Sequence, residues 1–464
     1  MPNLDRHLIG TWFPISFLVV TLVPLGGARS PLAQNLFILL IAVSFLWAVS
    51  RSAVRDGVST TASTLAGPVA PFAIICLPAV AVLQALAHST VGLSNAPALL
   101  IWYSVGFLAS LAAFFCLVRS AVRDRRGFRI LFAGLLVIGA LEATYGVLNL
   151  LSGNEYVLFY KRWTFFNSAT GTFYSRNQFA YLMELTLPVA FACVTFLADR
   201  SPGTSEDSDR GARQLLIWAC VIMMALGLVF SQSRMGMMSL VAATLVVGVA
   251  NHFRRPRQRA DEGQPTSYKL LATIALVVLA YAAIIGVEPV LERFLRIEHD
   301  LEEARLPLWE ATVAMIKEKP IFGHGFGSVE VLLTGYRPRP TGLFFDHSHN
   351  DYLELFAEAG IIGVAAVAYL MALFVRRLHV TLAMRLSHVQ RTVILALAVG
   401  IVSVLIHSIA DFGLRIPGIA FTFVAVLALF STATDDPRVC DSSFDPRQAQ
   451  RRTRSHGSRN RLST

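Results

Sequence analysis

Residues 345–375 read FDHSHNDYLELFAEAGIIGVAAVAYLMALFV, a polar knot of histidines and aspartates running into an apolar stretch. The part from Gly360 to Val375 carries no charge, and a helix needs apolar runs of roughly 17–25 residues to cross a bilayer. Eleven more runs of this kind lie near 10–27, 32–49, 65–87, 98–118, 128–151, 177–197, 214–230, 235–250, 269–286, 392–410 and 416–432. Of the 464 residues, 55% are hydrophobic and 15% charged, and the mean hydropathy is +0.57. That leaves too little polar surface to coat the two or three cores of a soluble protein this long. The expected fold is an all-α polytopic membrane protein with about 12 transmembrane helices and one large outer loop holding short helices.

The start of the chain has no charged region, short apolar core and small-residue cleavage site in series, so its first apolar run is expected to stay in the membrane. Basic residues fall in alternate connections: Arg51 and Arg55, Arg119 to Arg126, Arg200 to Arg213, Arg254 to Arg259, and Arg376 to Arg391, with more in the tail. The other connections are poor in them, which predicts that both termini are cytoplasmic. The net charge of +10 is thus a topology signal, not a nucleic-acid surface. Cys76, Cys116, Cys193 and Cys220 sit in apolar runs and Cys440 in the polar tail, so no disulfide or CxxC metal site is expected. The expected organisation is nine spans over 1–286, a large outer loop over 287–353, three spans over 354–432, and a basic disordered tail over 433–464 that touches anionic lipid.

Within the loop, Leu306, Trp309, Val313 and Ile316 recur at helical spacing, which predicts a helix from Arg305 to Ile316 with Pro307 at an early position. Gly323, Gly325 and Gly327 fail the GxGxxG spacing and read as a tight turn. Ser348 reads as an N-cap with Asp351 three positions on, a capping box that puts His349 in the first turn. A neutral imidazole there can accept a proton from a sugar hydroxyl, with Asp346 or Asp351 orienting it. His347 and His349 with Asp346 and Asp351 also have metal-ligand chemistry, but no HExxH-type spacing accompanies them, so no metal and no cofactor is expected. The bland alternative is a capped helix whose histidines bond water.

Three arginines fall on the outer side: Arg234 at a hairpin tip, Arg305 at the start of the loop helix, and Arg176 ahead of the sixth span. Arginine grips phosphate through a planar two-pronged fork, and several together suit a diphosphate; singly, each also fits lipid-headgroup contact. A loop rich in aromatics, with Phe159, Tyr160, Trp163, Phe165 and Phe166, reads as an interfacial belt or a sugar-stacking surface. Glu142 and Glu184 lie inside spans, where they are expected to be paired or to face a cavity.

His349-Asn350, nine residues, then Gly360-Ile361-Ile362-Gly363 is similar to the histidine motif of the O-antigen ligase and polymerase family of bacterial membrane glycosyltransferases. Ser233-Arg234, Arg305-Leu306-Pro307-Leu308-Trp309 and Pro320-Ile321-Phe322-Gly323-His324-Gly325 resemble further pieces of it. His407-Ser408-Ile409-Ala410-Asp411-Phe412, with Leu414-Arg415-Ile416-Pro417, resembles exopolysaccharide-type members. The likeness covers about residues 160 to 430. It implies a GT-C-like fold in the bacterial inner membrane and an undecaprenyl-diphosphate glycan donor. It also implies a periplasmic glycan or lipid A-core acceptor and inverting transfer without a metal. By position, the catalytic histidine is His349 and the diphosphate arginines are Arg234 and Arg305; Arg176, a third diphosphate arginine by its outward placement, and His347 have no clear counterpart in the family. His347, Asp346, Asn350 and Asp351 support the site, and Gly360 and Gly363 are structural. Two alternatives stand beside this: a protein O-oligosaccharyltransferase, and a twelve-span transporter of polysaccharide or lipid-linked substrate. A transporter keeps charged or broken helices at the midplane, whereas here most ionisable groups fall at span ends.

Overall fold

The computed structural model describes residues 35, 38–45, 70–91, 97–122, 124–158, 160–162, 164–197, 207–254, 305–336 and 346–440. The expected spans at 10–27 and 269–286, the tail beyond Cys440, and Phe159 and Trp163 lie outside this set. Among the described residues are eight helices long and apolar enough to cross a membrane, and the protein is an all-α polytopic membrane protein.

The spanning helices are α2 (Ala98–Ala121), α3 (Arg125–Leu151), α4 (Arg176–Phe196), α5 (Asp207–Phe230) and α6 (Arg234–Arg254), then α9 (Asp351–Leu382), α10 (His388–His407) and α11 (Pro417–Asp435). Ahead of them runs α1 (Ala70–Val91), which has Pro78 inside it. Between α6 and α9 lie two short helices, α7 (Leu306–Glu318) and α8 (Ser328–Leu332). A two-stranded antiparallel ribbon, β1 (Tyr156–Val157) and β2 (Tyr160–Lys161), is registered Tyr156 to Lys161 between α3 and α4.

The sequence explains the boundaries. Ser175 caps α4 by accepting from Asn177 N, Ser387 and Gln390 close a reciprocal capping box on α10, and Pro417 opens α11 where a missing N–H costs nothing. The loop helix α7 starts one residue after Arg305, with Pro307 in its first turn, close to its predicted extent.

Burial sorts the helices. In α4, 89% of the most apolar window is enclosed, against 22% in α9. Thus α4 is the hub, packed by α3, α5 and α10, and α9 exposes Ile361, Tyr369 and Val375. Close helix approach uses small residues: a Cβ on Gly139 of α3 would meet Thr186 Oγ1 of α4 at 2.5 Å. The two intramembrane carboxylates have partners as expected. Glu142 accepts from Thr172 N and Oγ1 at 2.9 and 2.8 Å. Glu184 meets His407 Nδ1 at 2.6 Å and accepts from Ser403 and Ser239.

The helix that carries the tenth span begins before the apolar run itself. Helix α9 starts at Asp351 and breaks at Gly360, where φ is 61° and ψ −164°. The turn after α7 is laid against that break: Ile361 N donates to Pro320 O, His324 N to Ala357 O, and Gly325 N to Glu358 O, each at 2.9 Å. Gly323, Gly325 and Gly327 all have positive φ, in keeping with a tight turn. A separate small core of Leu308, Ala311, Met315, Val329, Leu333 and Ala357 fixes α7 and α8 to the first turns of α9. At the other end, the chain stays ordered past Asp435: Pro437–Cys440 forms a 3-10 turn with Val439 and Cys440 buried.

Candidate active site

The capping box read from the sequence is not formed. Asn350 is the N-cap of α9, its side chain accepting from Tyr352 N and Leu353 N at 3.0 Å each. The Ser348 backbone N–H and hydroxyl instead both turn to Glu354 Oε1, at 2.7 and 3.2 Å. Asn wins because its amide oxygen reaches two end-of-helix N–H groups at once. His349 is therefore outside the helix, before its cap, and its backbone is left-handed with φ of 55°. That φ is uncommon for a residue with a side chain and is found where the surroundings hold it in place.

Neither Asp346 nor Asp351 orients His349. Its Nδ1 meets Asp411 Oδ1 at 3.1 Å, across a gap of 62 residues. A carboxylate oxygen accepts, so Nδ1 carries the hydrogen, and the neutral ring then presents Nε2 as an acceptor. The His349 side chain is 31% exposed while Asp411 is 7% exposed, so the anchor is enclosed and the working edge is open. Asp411 is itself fixed: Oδ1 accepts from Phe412 N at 2.9 Å, and Oδ2 accepts from Asn177 Nδ2 at 2.5 Å. Burial alone would push its carboxyl up; the hydrogen bond from His349, with His407 and Arg305 behind it, holds it well below the ordinary carboxylate range.

From Asn177 the network continues to the hairpin. Ser233 Oγ donates to Asn177 Oδ1 at 2.9 Å, and the next residue, Arg234, opens α6. Arg176 precedes Asn177 and lies over the Phe165 ring at 5.0 Å. On the loop side, Trp309 Nε1 donates to Ser348 O at 3.1 Å, one residue from His349. Arg305, four residues before Trp309, is near enough to help hold Asp411 ionised. His349, Asp411, Asn177 and Ser233 are thus linked by hydrogen bonds, and Arg176 and Arg234 are the sequence neighbours of Asn177 and Ser233.

His347 takes its own carboxylate, meeting Glu354 Oε2 at 3.1 Å, and its ring stacks on Phe412 at 4.2 Å. Burial lowers the His347 pKa, but Glu354 outweighs burial and the net shift is upward. Asp351, expected beside His349, faces Arg415 at 4.0 Å and accepts from Leu414 N at 3.2 Å. Arg415 also pairs with Glu354 at 3.6 Å and Glu358 at 2.7 Å. Among the described residues, no group of three or more His, Cys, Asp and Glu is disposed around a common metal position.

Sequence reasoning missed Asp411, Asn177, Glu354 and Arg415 as site residues. The signal for two of them was present: Asp411 and Arg415 are charged residues in a five-residue link, 411–415, between two apolar runs. No spacing rule pairs Asn177 with Asp411 at a separation of 234 residues.

Beside this centre opens an apolar cavity of about 380 Å³ between α2, α9 and α11. Asp351, Ser408 and Arg415 line it at the end nearest this centre and Arg377 and Ser431 line it elsewhere, and Phe107, Leu370 and Phe430 are among its apolar walls.

The sequence pattern of O-antigen ligases matches residues 219–368. An uncharacterized protein of Haemophilus influenzae is 35% identical over 68 residues, 14% of this chain and 17% of that protein's length. The matched region, residues 219–368, contains Arg234, Arg305, His349 and both glycines of the α9 motif, and over that stretch the chain is similar to O-antigen ligases.

Proposed function

We propose that this protein transfers glycan from an undecaprenyl-diphosphate donor to a periplasmic acceptor hydroxyl, with inversion at the anomeric carbon. The observation that carries this reading is the His349–Asp411 pair, with Asp351 and Ser408 lining the neighbouring apolar cavity and Asp351 N donating to both Ser408 O and Asp411 O. The cavity suits the donor's lipid tail. Arg234, Arg305 and Arg176 are the fixed cations for the diphosphate, stabilising charge that grows as the glycosidic C–O bond breaks.

In the step itself, the acceptor oxygen attacks the anomeric carbon on the face opposite the diphosphate. Its proton passes to His349 Nε2 as the new C–O bond forms and undecaprenyl diphosphate leaves. Asp411 holds the ring in the required tautomer and offsets its positive charge once protonated. The family supports a membrane enzyme that handles glycans. The acceptor's identity, lipid A core or a growing glycan, sets whether the reaction is ligation or polymerisation.

The test is transfer from a purified lipid-diphosphate glycan in the presence of chelator. His349→Ala is expected to abolish product, and Arg305→Ala to cut turnover by about 10²-fold or more, the usual loss on removing a transition-state charge partner. Full activity of His349→Ala in a folded protein would remove the histidine from the reaction.

A further inference from the structure

We infer that the cleft between Tyr160 and Tyr174 forms a glycan-binding subsite, in which tyrosine rings hold a sugar unit next to the diphosphate arginines. The inference rests on the transferase reading above and names where its sugar lies. A second cavity, of about 310 Å³, is lined by Tyr160, Arg162, Thr164, Phe165, Tyr174 and Ser175, together with two flanking residues of the ribbon. That volume lies at the small end of ligand sites, the size of one or two rings. Its composition contrasts with the apolar cavity between the spanning helices: flat rings alternate with hydroxyl and guanidinium donors.

Both tyrosines are presented to solvent. Tyr160 is 49% exposed and Tyr174 37%, with ring centroids 5.9 Å apart and tilted by 51°. Rings at such an angle form a cleft and do not stack on each other. The face of a pyranose is rich in C–H groups, whose positive hydrogens suit the negative face of an aromatic ring. Between them, Thr164 and Ser175 offer hydroxyls to the sugar's edge.

The cleft is held rigid from beneath. Arg162 is 7% exposed, donates to Asn149 Oδ1 at 2.5 Å and to Ser168 O at 3.3 Å, and its buried Nε has no acceptor among the described residues. Asn149 donates to Tyr156 O at 2.8 Å, and Tyr145 Oη accepts from Leu158 N at 2.7 Å, so the ribbon is clamped to α3. Preformed sites bind with less ordering cost. A rigid aromatic cleft with an enclosed, partly unmatched guanidinium is more than a membrane-interface belt requires.

Its position gives it a role. Phe165 lines the cleft and also lies against Arg176, whose neighbour Asn177 holds Asp411. Gln232 Nε2 donates to Asn167 O at 3.0 Å, tying the same segment to the hairpin that presents Arg234. A glycan extending from a diphosphate at Arg176 and Arg234 passes directly over Phe165 into the cleft.

The experiment uses the full chain in nanodiscs and, as probe, the oligosaccharide released by mild acid from the producing cell's own envelope glycans. Without lipid diphosphate no transfer intervenes, and binding is read by saturation-transfer NMR and calorimetry. Tyr160→Leu/Tyr174→Leu keeps apolar bulk without flat rings and is expected to weaken binding about tenfold or more. Tyr160→Phe/Tyr174→Phe, which keeps the rings, is expected to stay within about threefold of wild type, below half of that loss in free energy. In the transfer assay the leucine pair should raise the KM for glycan and leave kcat nearly unchanged. No binding by wild type, or equal binding by the leucine pair, overturns the subsite. Ring-dependent binding in a protein that shows no transfer supports the subsite and counts against the transferase reading alone.

Discussion

Asp411 is the residue on which the site turns, because it fixes the tautomer of His349 and is itself locked by Asn177 and the Phe412 amide. Asp411→Asn keeps the shape but removes the charge that balances an imidazolium. It is expected to lower kcat by about 10²-fold or more, with little change in the melting curve, measured by transfer assay and thermal melt together. His347 gives a separate signature. Its pKa is raised in the folded protein by Glu354, against the pull of burial and of Arg415, while Asp346 adds to the rise. The pair therefore stabilises the fold fully below the unfolded value of about 6.5, and that contribution fades as pH climbs through the higher folded value. Melting temperature should fall as pH is raised from about 6 to about 9, and His347→Gln should flatten this part of the curve. A histidine motif was legible in the sequence; which carboxylate serves which ring was not, since Asp346 and Asp351 are near in sequence but Glu354 and Asp411 are near in space.

Helix α9 shows why motif glycines recur without sharing a role. Gly360 adopts φ of 61° and ψ of −164°, a region essentially confined to glycine, and an added Cβ would lie 2.1 Å from Ile321 O. Gly363 is helical and is crowded only by the Ala359 methyl among close neighbours, at 2.2 Å. Gly360→Ala is expected to cost about 3 kcal/mol or more through strain and clash together, seen as a drop in melting temperature of the detergent-solubilised protein. The break lets the 320–325 turn hydrogen-bond to the exposed end of the first segment, where an unbroken helix would already use those carbonyls. Hydropathy placed the start of the span at this glycine, because the charged segment before it belongs to the loop core and not to the bilayer. The loop helix was legible because apolar residues recur along it at helical spacing. The face it buries, however, is Leu308, Ala311, Thr312 and Met315 and not the stripe of Leu306, Trp309, Val313 and Ile316, of which Leu306 is exposed.

At the scale of the whole molecule, the candidate site stands at one end of the bundle, where α4, α6, α9 and α11 begin and α10 ends. At the far end, Arg119 and Arg377 share Asp435 at 2.8 and 2.9 Å. The excess of arginine at that end predicts that it faces the cytoplasm. In right-side-out vesicles, an impermeant thiol reagent should label Lys161→Cys above the background of the native cysteines and should not label Arg126→Cys. Both positions are exposed, so accessibility reports the side of the membrane. The reverse pattern would place the site on the wrong face for a periplasmic reaction.

The sequence by itself determined that this chain lives in a membrane as a helical bundle, because hydropathy and the distribution of arginine are local quantities summed along the chain. It also singled out His349 and the arginines as chemically unusual. Only the tertiary structure decided which groups share a centre. Asn177, Ser233, His349 and Asp411 come from four separate stretches of chain and meet because α4, α6 and α10 pack side by side while the loop helix docks on α9. Hydrogen bonds across such distances follow from how helices pack, and helix packing is not written in any single window of sequence.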